Sequence, residues 1–118
     1  DNQSRLHCKW FSRSVDQVLG APFNVASYAL LTHLMARWCD LRVGTLTGDL
    51  GDVHVYENHM DVAHTLLERD YYVPPSLVLP GGCDTLESTL RLTAKDFSES
   101  LVGYRHAGVL KAPLSVGT

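Results

Sequence analysis

The sequence predicts an α+β fold, with a mixed, largely antiparallel sheet packed on one central buried helix. Two observations carry this. Residues 5–12 alternate between two faces, the period of a half-buried strand. Residues 24–39, NVASYALLTHLMARWC, are apolar on nearly every side, which suits a helix enclosed by its own fold rather than one lying on a surface. Several short strands and a second helix are expected after it, arranged around that one core.

Element by element, Leu6, Cys8, Trp10 and Ser12 share one face of the first strand, and Arg5, His7, Lys9 and Phe11 the other. Residues 13–22 form a connection ending in Gly-Ala-Pro, where Pro22 suits the first turn of a helix. Gly44 is the expected stop signal for that helix. Residues 45–56 read as a strand interrupted by Gly48 and Gly51, with His54 and Tyr56 on one face and Val53 and Val55 on the other. A helix follows over 58–69, with an apolar stripe of Met60, Ala63, Leu66 and Leu67. Residues 71–75 form a proline-punctuated loop, 76–79 a short strand and 86–92 a further strand. Thr93–Phe97 is expected as a helical turn capped by Thr93, and 109–112 as a last strand.

The bulk numbers set outer limits. With 118 residues the chain holds one domain with a modest core. Hydrophobic residues make up 45% and charged residues 19%, ordinary for a globular protein. A net charge of -3 argues against a general polyanion-binding surface, so any anion site is local. No apolar run is long enough to span a bilayer, and the polar start from Asp1 to Ser4 gives no expectation of a signal peptide. Three cysteines (Cys8, Cys39 and Cys83) have no CxxC spacing. Reduced thiols in a cytoplasmic setting are therefore expected. The histidines show no metal-ligand spacing, so no metal is expected. Trp10, Trp38 and His33 read as core, and His59 and His64 as helix-surface or satellite contacts.

Three constellations could carry chemistry. Arg13, Ser14 and Asp16 close the first strand. Arginine offers a planar fork for phosphate oxygens and serine a hydroxyl donor, while the carboxylate can accept from heterocycle N–H groups. An exposed turn with a weak ion pair is the plainer reading of the same residues. Asn24 opens the apolar helix, where its amide could read a pyrimidine edge; a simple N-cap is the plainer reading. His54 and Tyr56 could each bond a sugar hydroxyl, or be two amphipathic residues on a half-exposed strand.

What joins the three is their order. The run R-S-x-D-x-x-L-G-x-P-F-N-x-A-S-Y-A-L-L, from Arg13 to Leu31, resembles the most distinctive stretch of thymidylate synthases. So do Cys39-Asp40-Leu41, Gly51-Asp52-x-His54-x-Tyr56-x-Asn58-His59 and Lys111-Ala112-Pro113. The resemblance covers nearly the whole chain. It implies that residues 1–118 form the C-terminal portion of a single thymidylate-synthase-like domain. The implied reaction is the reductive methylation of dUMP to dTMP, with 5,10-methylenetetrahydrofolate as cosubstrate and no metal. By position in the motif, Arg13 and Ser14 are implied at the nucleotide phosphate, and His54 and Tyr56 at the deoxyribose 3′-hydroxyl. Asn24 is implied at the uracil edge; cytosine-using relatives carry aspartate there, so dUMP is favoured over dCMP. Asp16 is implied to order the pterin and to serve, with Asn24, as a catalytic residue beside dUMP. Leu19, Gly20 and Phe23 are implied as the wall against the folate. Ser115 falls in a C-terminal tail that closes over it and excludes water.

The departures from the pattern matter as much. The family's nucleophile is the cysteine of a Pro-Cys-His motif, and no such motif occurs here. Cys8 lacks the histidine and lies on the strand leading into Arg13. The residues DYYVPP at 70–75 replace a more usual Arg-Glu-Pro-Arg-Pro-like run, Ser12 stands where glutamine is common, and the chain runs on to Gly117 and Thr118. The resemblance implies that an N-terminal segment or companion chain supplies the nucleophile. It also implies a homodimer, and a cytoplasmic setting (host cytoplasm for a viral member). Two other readings stand beside it: a dUMP hydroxymethylase, in which water captures the exocyclic methylene, and a non-catalytic nucleotide-binding or interaction fragment.

Overall fold

The computed structural model describes residues 4–115. The expectations touching Asp1–Gln3 and the extension to Gly117 and Thr118 lie outside them. The first strand, β1, runs Arg5–Asp16. Leu6, Cys8, Trp10 and Ser12 are half-buried while Arg5, His7, Lys9 and Phe11 are exposed, so the alternation read from the sequence holds. The chain then turns into helix α1, Ala21–Trp38, with Pro22 in its first turn. The helix lies on the half-buried face of β1: Trp10 stacks on Tyr28 with ring centroids 5.1 Å apart.

Helix α1 ends differently from expectation. Asp40 takes the left-handed conformation at φ 52°, and the Leu41 N–H bonds back to the Ala36 carbonyl at 2.8 Å. Aspartate tolerates that backbone better than most side chains. Gly44 is not a stop; it lies inside β2, Arg42–His54. Gly48 and Gly51 do not interrupt β2 either. A Cβ at Gly48 would sit 2.5 Å from the Trp10 ring, and one at Gly51 would sit 2.6 Å from the Arg13 carbonyl. The glycines give room for the neighbouring strand to pass close by.

The sheet also departs from expectation. β1 and β2 pair in parallel, from Arg5 with Arg42 to Asp16 with His54. Among the described residues, antiparallel pairing is confined to the two-residue strands β3, Ser76–Leu77, and β4, Leu101–Val102. The cause is the connection: α1 carries the chain back across the sheet, so both long strands run the same way. The α+β class stands; the largely antiparallel sheet does not.

Nor is α1 buried as its composition suggests. Only Thr32 and Ala36 are buried, and Thr32 bonds its hydroxyl to the Tyr28 carbonyl at 2.7 Å. Phe23, Val25, Leu31 and Met35 are exposed, because β1 and β2 cover one side of the helix only. His33 is half-buried beside an open apolar cavity of about 310 Å³ lined also by Leu30, Leu77, Phe97 and Leu101, not enclosed in a core. Trp10 and Trp38 are likewise half-buried rather than core.

After β2 a short 3-10 turn, Glu57–His59, leads into helix α2, Met60–Leu67. Its expected apolar stripe stays largely in water, with Met60, Leu66 and Leu67 exposed. The segment read as a strand over 86–92 is instead a helical turn, α3, Leu86–Thr89. Thr85 and Ser88 cap each other's backbone in a capping box, which stabilises a helix start against a strand. Trp38 Nε1 donates to Thr89 Oγ1 at 3.1 Å, and Arg37 reaches Asp84 at 2.7 Å, so this segment is tied to the end of α1. Thr93 donates from its backbone and hydroxyl to Asp96 Oδ2 at 2.7 and 2.8 Å. It thus starts a turn rather than capping a helix. Residues 109–112 form no strand.

Candidate functional site

The carboxyl ends of two parallel strands are where helix-crossed units gather functional groups, and the strand ends of this chain do so. Along β1 the alternation slips at its end: Arg13 and Ser14 are both exposed, Val15 is buried and Asp16 half-buried. Arg13 therefore stands beside a hydroxyl, and among the described residues it makes no ion pair. The exposed i, i+3 pair with Asp16 is absent.

Asp16 is committed elsewhere. Its Oδ1 accepts from the backbone N–H groups of Val18 at 2.9 Å and Leu19 at 3.2 Å. These bonds fix the carboxylate and shape the turn into α1, with both falling on one oxygen. Gly20 completes the turn, its N–H bonded to the Asp16 carbonyl at 3.0 Å. A Cβ there would lie 2.9 Å from that carbonyl.

Across the ladder, His54 is the register partner of Asp16, and the Gln17 N–H donates to the His54 carbonyl at 2.9 Å. The His54 ring lies edge-on to Tyr56 with centroids 5.0 Å apart, and both are half-buried. His54 Nδ1 lies 3.3 Å from the Asp52 carbonyl oxygen and 3.7 Å from its carboxylate. A carbonyl only accepts, so this contact places the proton on Nδ1 and leaves Nε2 as an acceptor.

Asn24 is not an N-cap. Gly20 holds that position, and the Asn24 N–H already bonds to the Gly20 carbonyl at 3.0 Å. Asn24 lines a small cleft of about 20 Å³ with Trp10, Ser12, Val15 and Leu50. Among the described residues it shares no hydrogen bond with Asp16, His54 or Tyr56. Phe23 is 71% exposed at the start of α1. Leu19 is half-buried beside Asp16 in sequence.

Ser115, distant in sequence, arrives at the same corner. It donates to Asn58 Oδ1 at 2.8 Å and sits 3.4 Å from His59 Nε2. His59 is the residue that sequence reasoning misplaced: far from a surface contact, it is 0% exposed. Its one signal was its place directly after Asn58 in the Gly51–His59 run. Cys8 is half-buried in the middle of β1. Five residues of strand put it about 16 Å from Arg13, so it is no nucleophile for this corner.

An arginine and a serine thus stand at one strand end, with a histidine–tyrosine pair at or just past its neighbour's end. The chain belongs to the thymidylate synthase family, whose model matches residues 1–116. It is 40% identical over 112 residues to a thymidylate synthase of Staphylococcus haemolyticus, covering 95% of this chain and 33% of the relative. Thermostable thymidylate synthase A of Bacillus subtilis superposes with a TM-score of 0.77 at 30% identity, over 92% of this chain and 37% of that one. Phage T4 thymidylate synthase gives 0.78 at 34%, over 96% and 42%. The chain thus spans about a third of the length of the curated relative it matches.

Proposed function

We propose that the chain forms the nucleotide-facing part of an enzyme that methylates C5 of dUMP, with 5,10-methylenetetrahydrofolate as donor of the carbon and the reducing equivalents. The observation that supports this most is the gathering of Arg13, Ser14, Asp16, His54 and Tyr56 at one end of the β1–β2 pair. In this reading Arg13 holds two phosphate oxygens and Ser14 adds a third donor. His54 Nε2 accepts from the 3′-hydroxyl, with the Tyr56 hydroxyl beside it. Asn24 reads the uracil edge through its carbonyl and amide, favouring dUMP over dCMP.

The folate side fits the residues present. The Asp16 carboxylate is fixed through one oxygen, which leaves the other for the N–H groups of a pterin. The exposed Phe23 ring and Leu19 supply an apolar wall, and Gly20 keeps the turn tight against Asp16. The bound cosubstrate would supply a one-carbon unit at the oxidation level of formaldehyde together with a hydride. Asp16 and Asn24 hold the pterin and pyrimidine in register, and Ser115 brings the C-terminal segment over them.

The nucleophilic thiolate comes from a segment or companion chain beyond these residues. Assembly as a homodimer through the outer face of β1, where Phe11 is 72% exposed, and a cytoplasmic setting complete the proposal. No helix among the described residues is long and apolar enough to cross a membrane.

The test is product analysis with dUMP and methylenetetrahydrofolate. Thymidylate and dihydrofolate are expected; 5-hydroxymethyl-dUMP and tetrahydrofolate would instead show a hydroxymethylase. In the same protein Arg13→Ala should weaken dUMP binding by roughly 1.5–3 kcal/mol, the scale of a charged hydrogen bond. Unchanged affinity by calorimetry would refute the phosphate role.

A further inference from the structure

The fully buried polar ring of His59 is left unused by the chemistry above. Burying an imidazole completely is unfavourable unless its polar atoms are bonded, and an apolar side chain of that size would fill the space without this requirement. What surrounds the ring is specific. Nε2 lies 2.7 Å from the Pro113 carbonyl oxygen; a carbonyl only accepts, so Nε2–H is the donor. Ser115 Oγ is 3.4 Å from the same nitrogen, and its hydroxyl is held by Asn58. The ring lies edge-on to Tyr56, with centroids 5.6 Å apart. On its other side Nδ1 has no hydrogen-bond partner and sits 4.0 Å from Asp16 Oδ1, the oxygen that also holds the turn into α1. One side chain thus stands against the end of β1, Tyr56 two residues past β2 and the segment Lys111–Ser115.

We propose that His59 is a positioning residue that couples the carboxylate of Asp16 to the seating of Lys111–Ser115, so that neither is fully ordered without the other. The proposal rests on the reading above that Asp16 faces the reduced folate. Seating the segment fixes the ring through Nε2. The fixed ring then limits how far the Asp16 carboxylate can swing away from its two backbone donors. Coupling of this kind is reciprocal: whatever orders Asp16, a bound pterin included, also favours the seated segment. The nucleotide phosphate contacts at Arg13 and Ser14 lie outside this linkage.

The experiment uses the whole protein, with His59→Ala and His59→Gln variants. Amide hydrogen exchange over 111–115 is measured without ligand, alongside calorimetry with dUMP and the KM for methylenetetrahydrofolate. In His59→Ala, exchange over 111–115 and the folate KM should both rise about five- to tenfold, the scale of one lost hydrogen bond. The Kd for dUMP should stay within about twofold of wild type. Glutamine keeps an N–H donor and should restore much of the exchange protection. A folded His59→Ala variant with unchanged exchange overturns the coupling, as does an equal loss in dUMP and folate binding, which would mark His59 as merely structural.

Should His59→Ala fail to fold, the double variant Asn58→Ala/Ser115→Ala leaves the ring in place and loosens only the segment. The same selective rise in folate KM is expected there, and its absence overturns the proposal. A wild-type protein that turns over neither substrate would defeat the proposed function alone, because the exchange comparison still tests the linkage.

Discussion

The corner around His59 and the far side of α1 are built on opposite terms. At the corner a fully buried ring meets Pro113, Ser115, Tyr56 and Asp16 within a few ångströms. On the far side Leu30, His33, Leu77, Phe97 and Leu101 line an open apolar cavity of about 310 Å³. Among the described residues Ser100 Oγ, at this cavity, is buried without a hydrogen-bond partner, as is His59 Nδ1 at the corner. The accessible surface of 9059 Å² reflects this imbalance, since a self-contained monomer of this mass exposes about 6,400 Å². The geometry of the site is thus specified within the β1–α1–β2 unit and its tail, while much of the apolar surface contributes little to holding this chain together.

Three measurements would break or sharpen that contrast. The largest effect is expected at Gly51, whose Cβ position lies 2.6 Å from the Arg13 carbonyl. Gly51→Val must push the strands apart where the proposed phosphate contacts sit. It should cost about 1–3 kcal/mol in urea unfolding and weaken dUMP binding as well. A variant of unchanged midpoint would show that the strand ends are as pliable as the far side.

Thiol labelling comes next. Cys83 is 2% exposed, and burial raises its thiol above the ordinary range, with the nearby Asp84 charge adding to this. Cys39 is exposed at the end of α1. At pH 8 a disulfide reagent should modify Cys39 at least about tenfold faster than Cys83, because only the thiolate reacts and only one thiol is in reach. Equal rates would mean that the segment pinned by Arg37 and Trp38 opens readily. The smallest effect belongs to Leu101→Ala at the cavity rim. Leu101 is half exposed already, so a change within about 0.5 kcal/mol is expected in the same unfolding assay. A loss of 2 kcal/mol or more would mean the far side is a closed core after all.

Much of this was legible in the residues, and the failures have physical causes. The alternation of β1 was readable because a strand with one covered face shows it directly. Its parallel pairing was not, since period two is the same in either ladder and direction is decided by the helix that crosses between strands. Residues 86–92 place Leu86, Ser88, Leu90 and Leu92 at strand spacing. The hydrogen bonds between Thr85 and Ser88 prevail over that pattern. The apolar composition of α1 promised burial that β1 and β2 cannot supply from one side. At the site, Arg13, Ser14, Asp16, His54 and Tyr56 were found by motif order and fall at adjoining strand ends. Asn24 lost its plainer reading, because the cap lies at Gly20. His59 was misplaced because its position in the Gly51–His59 run says nothing of burial: it meets the segment around Pro113, 54 positions away.

That last contact has a consequence in time. His59 and Pro113 are separated by 54 positions, whereas β1, α1 and β2 are consecutive and can dock on one another once residue 54 has emerged from the ribosome. On the ribosome the strand ends that carry Arg13, Asp16 and His54 are in place early. The corner between Asp16 and the tail stays unfinished until synthesis has passed Pro113, so the β1–β2 strand ends form before the corner that His59 closes.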